Sequence, residues 1–187
     1  MKLADRSSMT AADFLGWVST LPEGQRYELV GGEPVAMSPE RNRHSLVKLD
    51  CAVSLRQAVR ASGADCTVFG DGATVVIDDT TVYEPDVTVQ CGGSIDLDAV
   101  TVSRPTIVVE VLSPSTRGVD TGRKLVGYFQ LESVSHYLVL DPEARVVTHH
   151  YRSGNRIITS IVRGGDLVLD PLDMKLSVAD LFVSIAP

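Results

Sequence analysis

The chain has 187 residues, 44% of them hydrophobic, enough for one domain over residues 1–187 with a sizeable core. Its formal charge of −7 excludes a protein that draws in polyanions by its overall field, so any nucleic-acid contact must come from local basic groups. No stretch approaches the roughly 20 apolar residues of a membrane span, and Met1–Met9 lacks the apolar core of a secretory signal, so a cytoplasmic protein without membrane contact is expected.

The segment Thr10–Val18 predicts a short helix capped by Thr10, with Phe14, Leu15 and Val18 on one face. Pro22-Glu23-Gly24 ends it. Arg26–Val30 and Glu33–Met37 flank Gly31-Gly32, a hairpin signal because primed turns need positive φ. Pro34 marks the second arm as an edge strand. Apolar residues at helical spacing over 42–61 predict the longest helix, ending before Gly63.

Cys66–Phe69 and Ala73–Ile77 read as strands around Gly70-Asp71-Gly72, Val82–Gln90 as a further strand, and Cys91–Arg104 as a loop. Thr106–Leu112 reads as a strand buried on both faces. Pro114 stops its ladder, and Asp120 is a candidate cap for a helix from Thr121 to about Glu132 with Leu125, Tyr128 and Phe129 inward. His136–Leu140, Val146–Tyr151 and Arg156–Val162 add strands, and Ser177–Phe182 resembles one short helix. The expected architecture is α+β (mixed α/β). A central mixed sheet is flanked by two main helices, with an N-terminal helix and hairpin, a C-terminal hairpin extension, and a right-handed crossover over 106–140.

Three cysteines, Cys51, Cys66 and Cys91, have no CxxC spacing. So sparse and odd a set argues against a disulfide framework or a zinc site, and all three are expected as reduced residues in or near the core.

The chemistry begins at Glu110, an acid inside the apolar run 106–112. A carboxylate there is costly unless a metal, a cation or dense hydrogen bonding compensates it. A second acid, Asp86, lies in another β-like run, and the basic segment Thr116–Lys124 follows the buried strand. Acid, acid, then lysine across consecutive elements is the order that metal-assisted phosphodiester hydrolysis requires. Duller readings stand beside this one. Glu110 could pair with a structural arginine, Asp86 could open a turn after Pro85, and Lys124 could be solvated. Glu28 reads locally as an exposed strand acid, and His44 as a surface or capping residue. His149 and His150 point to opposite faces of a strand and cannot chelate together. Between Arg41 and Ser62, Arg41, Arg43, Lys48, Arg56 and Arg60 stand against the single acid Asp50, either as solvated helix faces or as a local basic footprint; Arg117, Arg123 and Lys124 form a second group.

Several of these residues, in order, resemble a known family. They are Tyr27–Glu33, His44, Glu84–Val89, Ile107–Thr116, Asp120 with Lys124 and Tyr128, and His136–Pro142. Together, over about residues 10 to 165, they are similar to the bacterial Uma-two family of restriction-endonuclease-like proteins, within the PD-(D/E)xK nuclease superfamily. The resemblance implies a restriction-endonuclease-like fold and a Mg²⁺ site, with Mn²⁺ able to substitute. By position, Asp86 and Glu110 would be metal ligands and Lys124 the catalytic lysine, because Leu112 stands where the superfamily lysine would be. Glu28 matches an acidic position of the family, and Gly31 replaces its usual hairpin Asp. His44 is a candidate substrate or metal contact. DNA is the expected partner, and a homodimer is the simplest way to cut both strands. Two alternatives stay open: a non-catalytic interaction protein that retains the fold, and a phosphodiesterase acting on small molecules.

Overall fold

The structure, a computed structural model, describes residues 8–113 and 120–186, without the side chains of 120 and 121. Expectations at Pro114 and Arg117 and for the Asp120 cap lie outside the described residues.

Helix α1 (Ala11–Val18) begins as expected, with Thr10 Oγ1 accepting the Asp13 N–H at 3.1 Å. Strands β1 (Tyr27–Val30) and β2 (Glu33–Ala36) pair around Gly31 and Gly32, whose φ angles of 58° and 81° are the positive values that turn needs. Helix α2 (Asn42–Ser62) follows, then β3 (Cys66–Phe69), β4 (Val75–Asp78) and β5 (Thr81–Tyr83).

The run expected as one strand over Val82–Gln90 is broken. β5 ends at Tyr83, Glu84-Pro85-Asp86 forms a link, and β6 (Val87–Cys91) begins in a different sheet. Pro85 cannot donate to a ladder, which favours the break. Next come β7 (Pro105–Val111), α3 (Asp120–Gln130), β8 (His136–Asp141), β9 (Val146–Ser153) and β10 (Arg156–Val162).

The central sheet has six strands in the order β10-β9-β8-β7-β6-β3; β7 and β8 are parallel and the other neighbours antiparallel. A second sheet, ordered β2-β1-β5-β4, places the Pro34 strand at an edge as expected. Beyond the predicted elements lies a hairpin of β11 (Asp166–Leu169) and β12 (Met174–Ser177). The closing helix is a 3₁₀ helix at Asp180–Ile185, later than expected.

The core has three parts. On one face of the central sheet, Val47, Cys51 and Leu55 of α2 pack with Val87, Ile107, Val109 and Leu138, joined by the β11–β12 hairpin and Leu181. On the other, Tyr128 of α3 packs with Val108, Tyr137, Val139 and with Val75 and Tyr83 of the second sheet. Phe14 of α1 covers the outer face of that sheet against Leu29 and Val82. Strand β7 is thus buried on both faces, Ile107, Val109 and Val111 toward α2, Val108 and Glu110 toward α3.

The cysteines correct the sequence reading. Cys66 and Cys91 occupy facing positions on β3 and β6 and form a disulfide, while Cys51 is free and buried. Residues 25 apart in sequence become ladder partners only once the sheet is formed.

Candidate active site

The layers meet at a cleft of about 1030 Å³ whose lining includes Glu28, His44, Glu84, Asp86, Glu110 and Lys124. Glu28 reaches it because β1 alternates, sending Leu29 to the α1 side and Glu28 to the α3 side. All five expected site residues therefore come together.

They do so in two linked groups. In the first, Lys124 Nζ donates at 2.9 Å to both Glu28 Oε1 and Glu110 Oε1. Tyr128 Oη donates to the same Glu110 oxygen at 2.6 Å, and Glu28 Oε1 also accepts the Glu84 N–H at 2.9 Å. Lys124 is 7% exposed and Glu28 8%. The solvated-lysine and exposed-acid alternatives are thereby excluded, and among the described residues the partners of Glu110 are Lys124 and Tyr128, not an arginine. Burial pushes the Glu110 carboxyl up to about 7; Asp86 and Glu28 add to the rise, against the opposing pull of Lys124. Burial works against the Lys124 charge too, but Glu110 and Glu28 outweigh it and raise its pKa. Lys124 is an ammonium at neutral pH.

Asp86 anchors the second group. Its N–H donates to Val109 O at 3.1 Å, and its Oδ2 accepts the Val111 N–H at 2.6 Å. These two bonds place Asp86, one residue before β6, beside Val109 and Val111, the residues that flank Glu110 on β7. His44 Nε2 lies 3.4 Å from Asp86 Oδ2, and Lys48 Nζ 3.3 Å from Asp86 Oδ1. Burial opposes the Asp86 charge, but hydrogen bonding and charge from His44, the Val111 amide and Lys48 hold its pKa below the usual range.

Lys48, Glu40, Asp71 and Arg26 were not legible as site residues. Lys48 is 6% exposed, ion-pairs with Glu40, and lies 2.9 Å from Asp71 Oδ2. It is therefore no part of a solvated basic face. Arg26 joins Asp71 to Glu84 and approaches Glu40 at 3.4 Å. Glu40 and His44 are four residues apart across the start of α2, a spacing that could have flagged them. Asp71 and Arg26 left no comparable signal, since their partners come from distant segments. Arg41 and Arg43 line the cleft and are exposed.

A mixed sheet between helices, with acids and a lysine gathered where strands β6 and β7 begin and end, defines a nuclease-type mixed α/β fold. Comparison with solved structures agrees: a crystal structure described as a putative nuclease belonging to DUF820, from Anabaena variabilis ATCC 29413, has a TM-score of 0.71 at 19% identity, covering 94% of this chain and 98% of that one. An uncharacterized protein of Synechocystis sp. is 23% identical over 181 residues, 95% of this chain and 93% of the relative. The model of the Uma2 family, described as "Putative restriction endonuclease", matches residues 11–179, and the chain belongs to that family.

Proposed function

We propose that the protein is a metal-dependent endonuclease hydrolysing phosphodiester bonds of DNA, with Asp86 and Glu110 as ligands of a Mg²⁺ ion that Mn²⁺ can replace. The observation that carries this reading is that Asp86 bonds to the backbone of Val109 and Val111, the residues on either side of Glu110, with Lys124 bonded to Glu110. Such a donor set fits a hard divalent ion, which needs only one or two carboxylates beside water and substrate phosphate. When bound, the ion supplies a Lewis acid that stabilises charge on phosphorus and acidifies a water ligand.

The chain's own residues do the rest. Lys124, held as an ammonium by Glu28 and Glu110, offers fixed positive charge to the phosphate and is not a general base. Glu28 positions that ammonium from the second sheet, and Tyr128 fixes the Glu110 carboxyl through its hydroxyl. Arg41 and Arg43 at the cleft give a backbone phosphate local positive charge that the whole molecule lacks. Cutting both strands of a duplex favours a homodimer. No helix among the described residues is long and apolar enough to cross a membrane.

Incubation of supercoiled plasmid with Mg²⁺ or Mn²⁺ tests this reading. Wild type should nick it, Glu110→Gln should fall to background, and Lys124→Met should lose on the order of 10²-fold. Nicking that persists in Glu110→Gln would remove the proposed site.

A further inference from the structure

Strand β10 closes one end of the central sheet, and among the described residues its ladder partner is β9 alone. The turn Gly154-Asn155 is two residues long, so Ser153 and Arg156 form the hydrogen-bonded closing pair. Bonded and non-bonded pairs alternate from there. Arg152, opposite Ile157, accordingly sends its N–H the other way, to Ser135 O at 2.9 Å. The N–H and C=O groups of Ile157, Thr159 and Ile161 therefore point out of the sheet edge.

Natural folds blunt such edges with short strands, proline, charge or bulges. The other edge strands of the two larger sheets are blunted. β2, β3 and β4 have four residues each, β2 carries Pro34, and β4 has a register shift. β10 has seven residues in unbroken register, and between Arg156 and Arg163 it carries neither charge nor proline. Its side chains are apolar and open to solvent, with Ile157 38%, Ile158 39% and Ile161 65% exposed.

The strand is also its own complement. Laid antiparallel on a second copy about Thr159, Ile157 meets Ile161, Ile158 meets Ser160, and Thr159 meets its counterpart. The outward-pointing residues then face one another in three pairs, and each such pair exchanges two backbone hydrogen bonds. Isoleucine pairs and a threonine pair are favourable cross-strand neighbours. Arg156 falls opposite Val162, on the other sheet face from Arg163 of the second copy, so like charges do not meet. In a chain of net charge −7, a strand without acids is where two copies approach at least electrostatic cost.

We propose that β10 is the interface of a homodimer in which two copies join their central sheets edge to edge, paired antiparallel about Thr159. The inference rests on the nuclease reading for the purpose of a dimer, while the surface itself is defined by the strand and uses no residue of the cleft. A foreign strand would require no such two-fold pattern, and an isologous contact does.

Cysteine cross-linking of the full chain tests the register. Facing residues of a bonded antiparallel pair have Cα atoms about 5.5 Å apart, within disulfide reach. Mild oxidation should therefore convert Thr159→Cys into a covalent dimer on a non-reducing gel. Arg156→Cys, about 20 Å from its counterpart at about 3.4 Å per residue, should stay at the wild-type background. Ultracentrifugation should find wild type as a dimer, and Ile161→Lys, at an exposed position the fold does not need, should raise the dimer dissociation constant about tenfold or more. Three results would each overturn the interface: cross-linking of Thr159→Cys no stronger than of Arg156→Cys, a wild type that sediments as a monomer at every concentration, or a dimer undiminished in Ile161→Lys. Plasmid nicking separates the two readings. Nicking by a monomeric protein keeps the nuclease and removes this interface, and a dimer cross-linked at position 159 that nicks nothing does the reverse.

Discussion

Gly127 shows how tightly the residues behind the site are packed. A Cβ built there would lie 2.8 Å from Tyr83 Cε2 and 3.3 Å from its hydroxyl oxygen. Tyr83 is 2% exposed and its ring sits 5.3 Å from that of Tyr128, so it has little room to move. Alanine normally gains up to about 1 kcal/mol over glycine inside a helix. Here overpacking dominates, and Gly127→Ala should cost about 1–3 kcal/mol, read as a lower thermal midpoint. Since Lys124 Nζ lies 5.5 Å from the centre of the Tyr83 ring, the substitution should disturb the ammonium as well. Glu110 was legible in the sequence because an acid in an apolar run violates the local pattern. Lys48 was not. Its burial arises from Glu40, Asp71 and Asp86, which three separate segments bring to it, and no local window contains them.

Among the elements, α2 joins the cleft to the core. Its first turns carry His44 and Lys48 toward Asp86, while Cys51, Leu55 and Ala58 pack on the sheet. Between them Asp50, 7% exposed, accepts the Ser184 N–H at 2.8 Å and its hydroxyl at 2.6 Å, fastening the C-terminal 3₁₀ helix. Asp50→Ala leaves both donors without that carboxylate and should cost about 1–3 kcal/mol, seen as a lower urea midpoint with an unchanged slope. Apolar residues at roughly helical spacing, with Gly63 as the stop, made α2 readable almost to the residue. The β11–β12 hairpin was not readable, because four-residue arms carry too few alternations to declare a period of two. The break at Glu84-Pro85-Asp86 was hidden for another reason. The strand signal on either side is continuous, and only the switch between sheets reveals two strands.

For the whole molecule, pH dependence follows from a histidine pair away from the cleft. His136 Nε2 donates to Asp170 O at 2.8 Å, so its Nδ1 accepts from His149 Nε2 at 3.0 Å. Burial, with His136 and His150 nearby, lowers His149 from 6.5 to about 4. A histidine held neutral in the fold favours folding less as acid rises, because the unfolded chain binds the proton first. Its contribution is intact above pH 6.5 and is lost as pH falls toward 4, at up to about 1.4 kcal/mol per pH unit. Chemical denaturation at pH 7, 6 and 5 should show that decline, and His149→Gln should flatten it. The Cys66–Cys91 disulfide bears on the same scale. Such bonds persist in oxidising surroundings, so in a reducing cytosol the pair would stand as two thiols across β3 and β6.

Asp86 touches two elements at once, capping the end of β7 through the Val111 amide and gripping α2 through His44 and Lys48. It is a rivet as much as a ligand candidate. Removing it should loosen the seam and silence the enzyme together, so Asp86→Ala is expected to lose melting temperature and turnover in one stroke. Glu110→Gln should keep its melting temperature within a few degrees while turnover disappears, because amide replaces carboxyl without vacating space. Side-by-side melting and nicking curves of the two variants would expose that asymmetry.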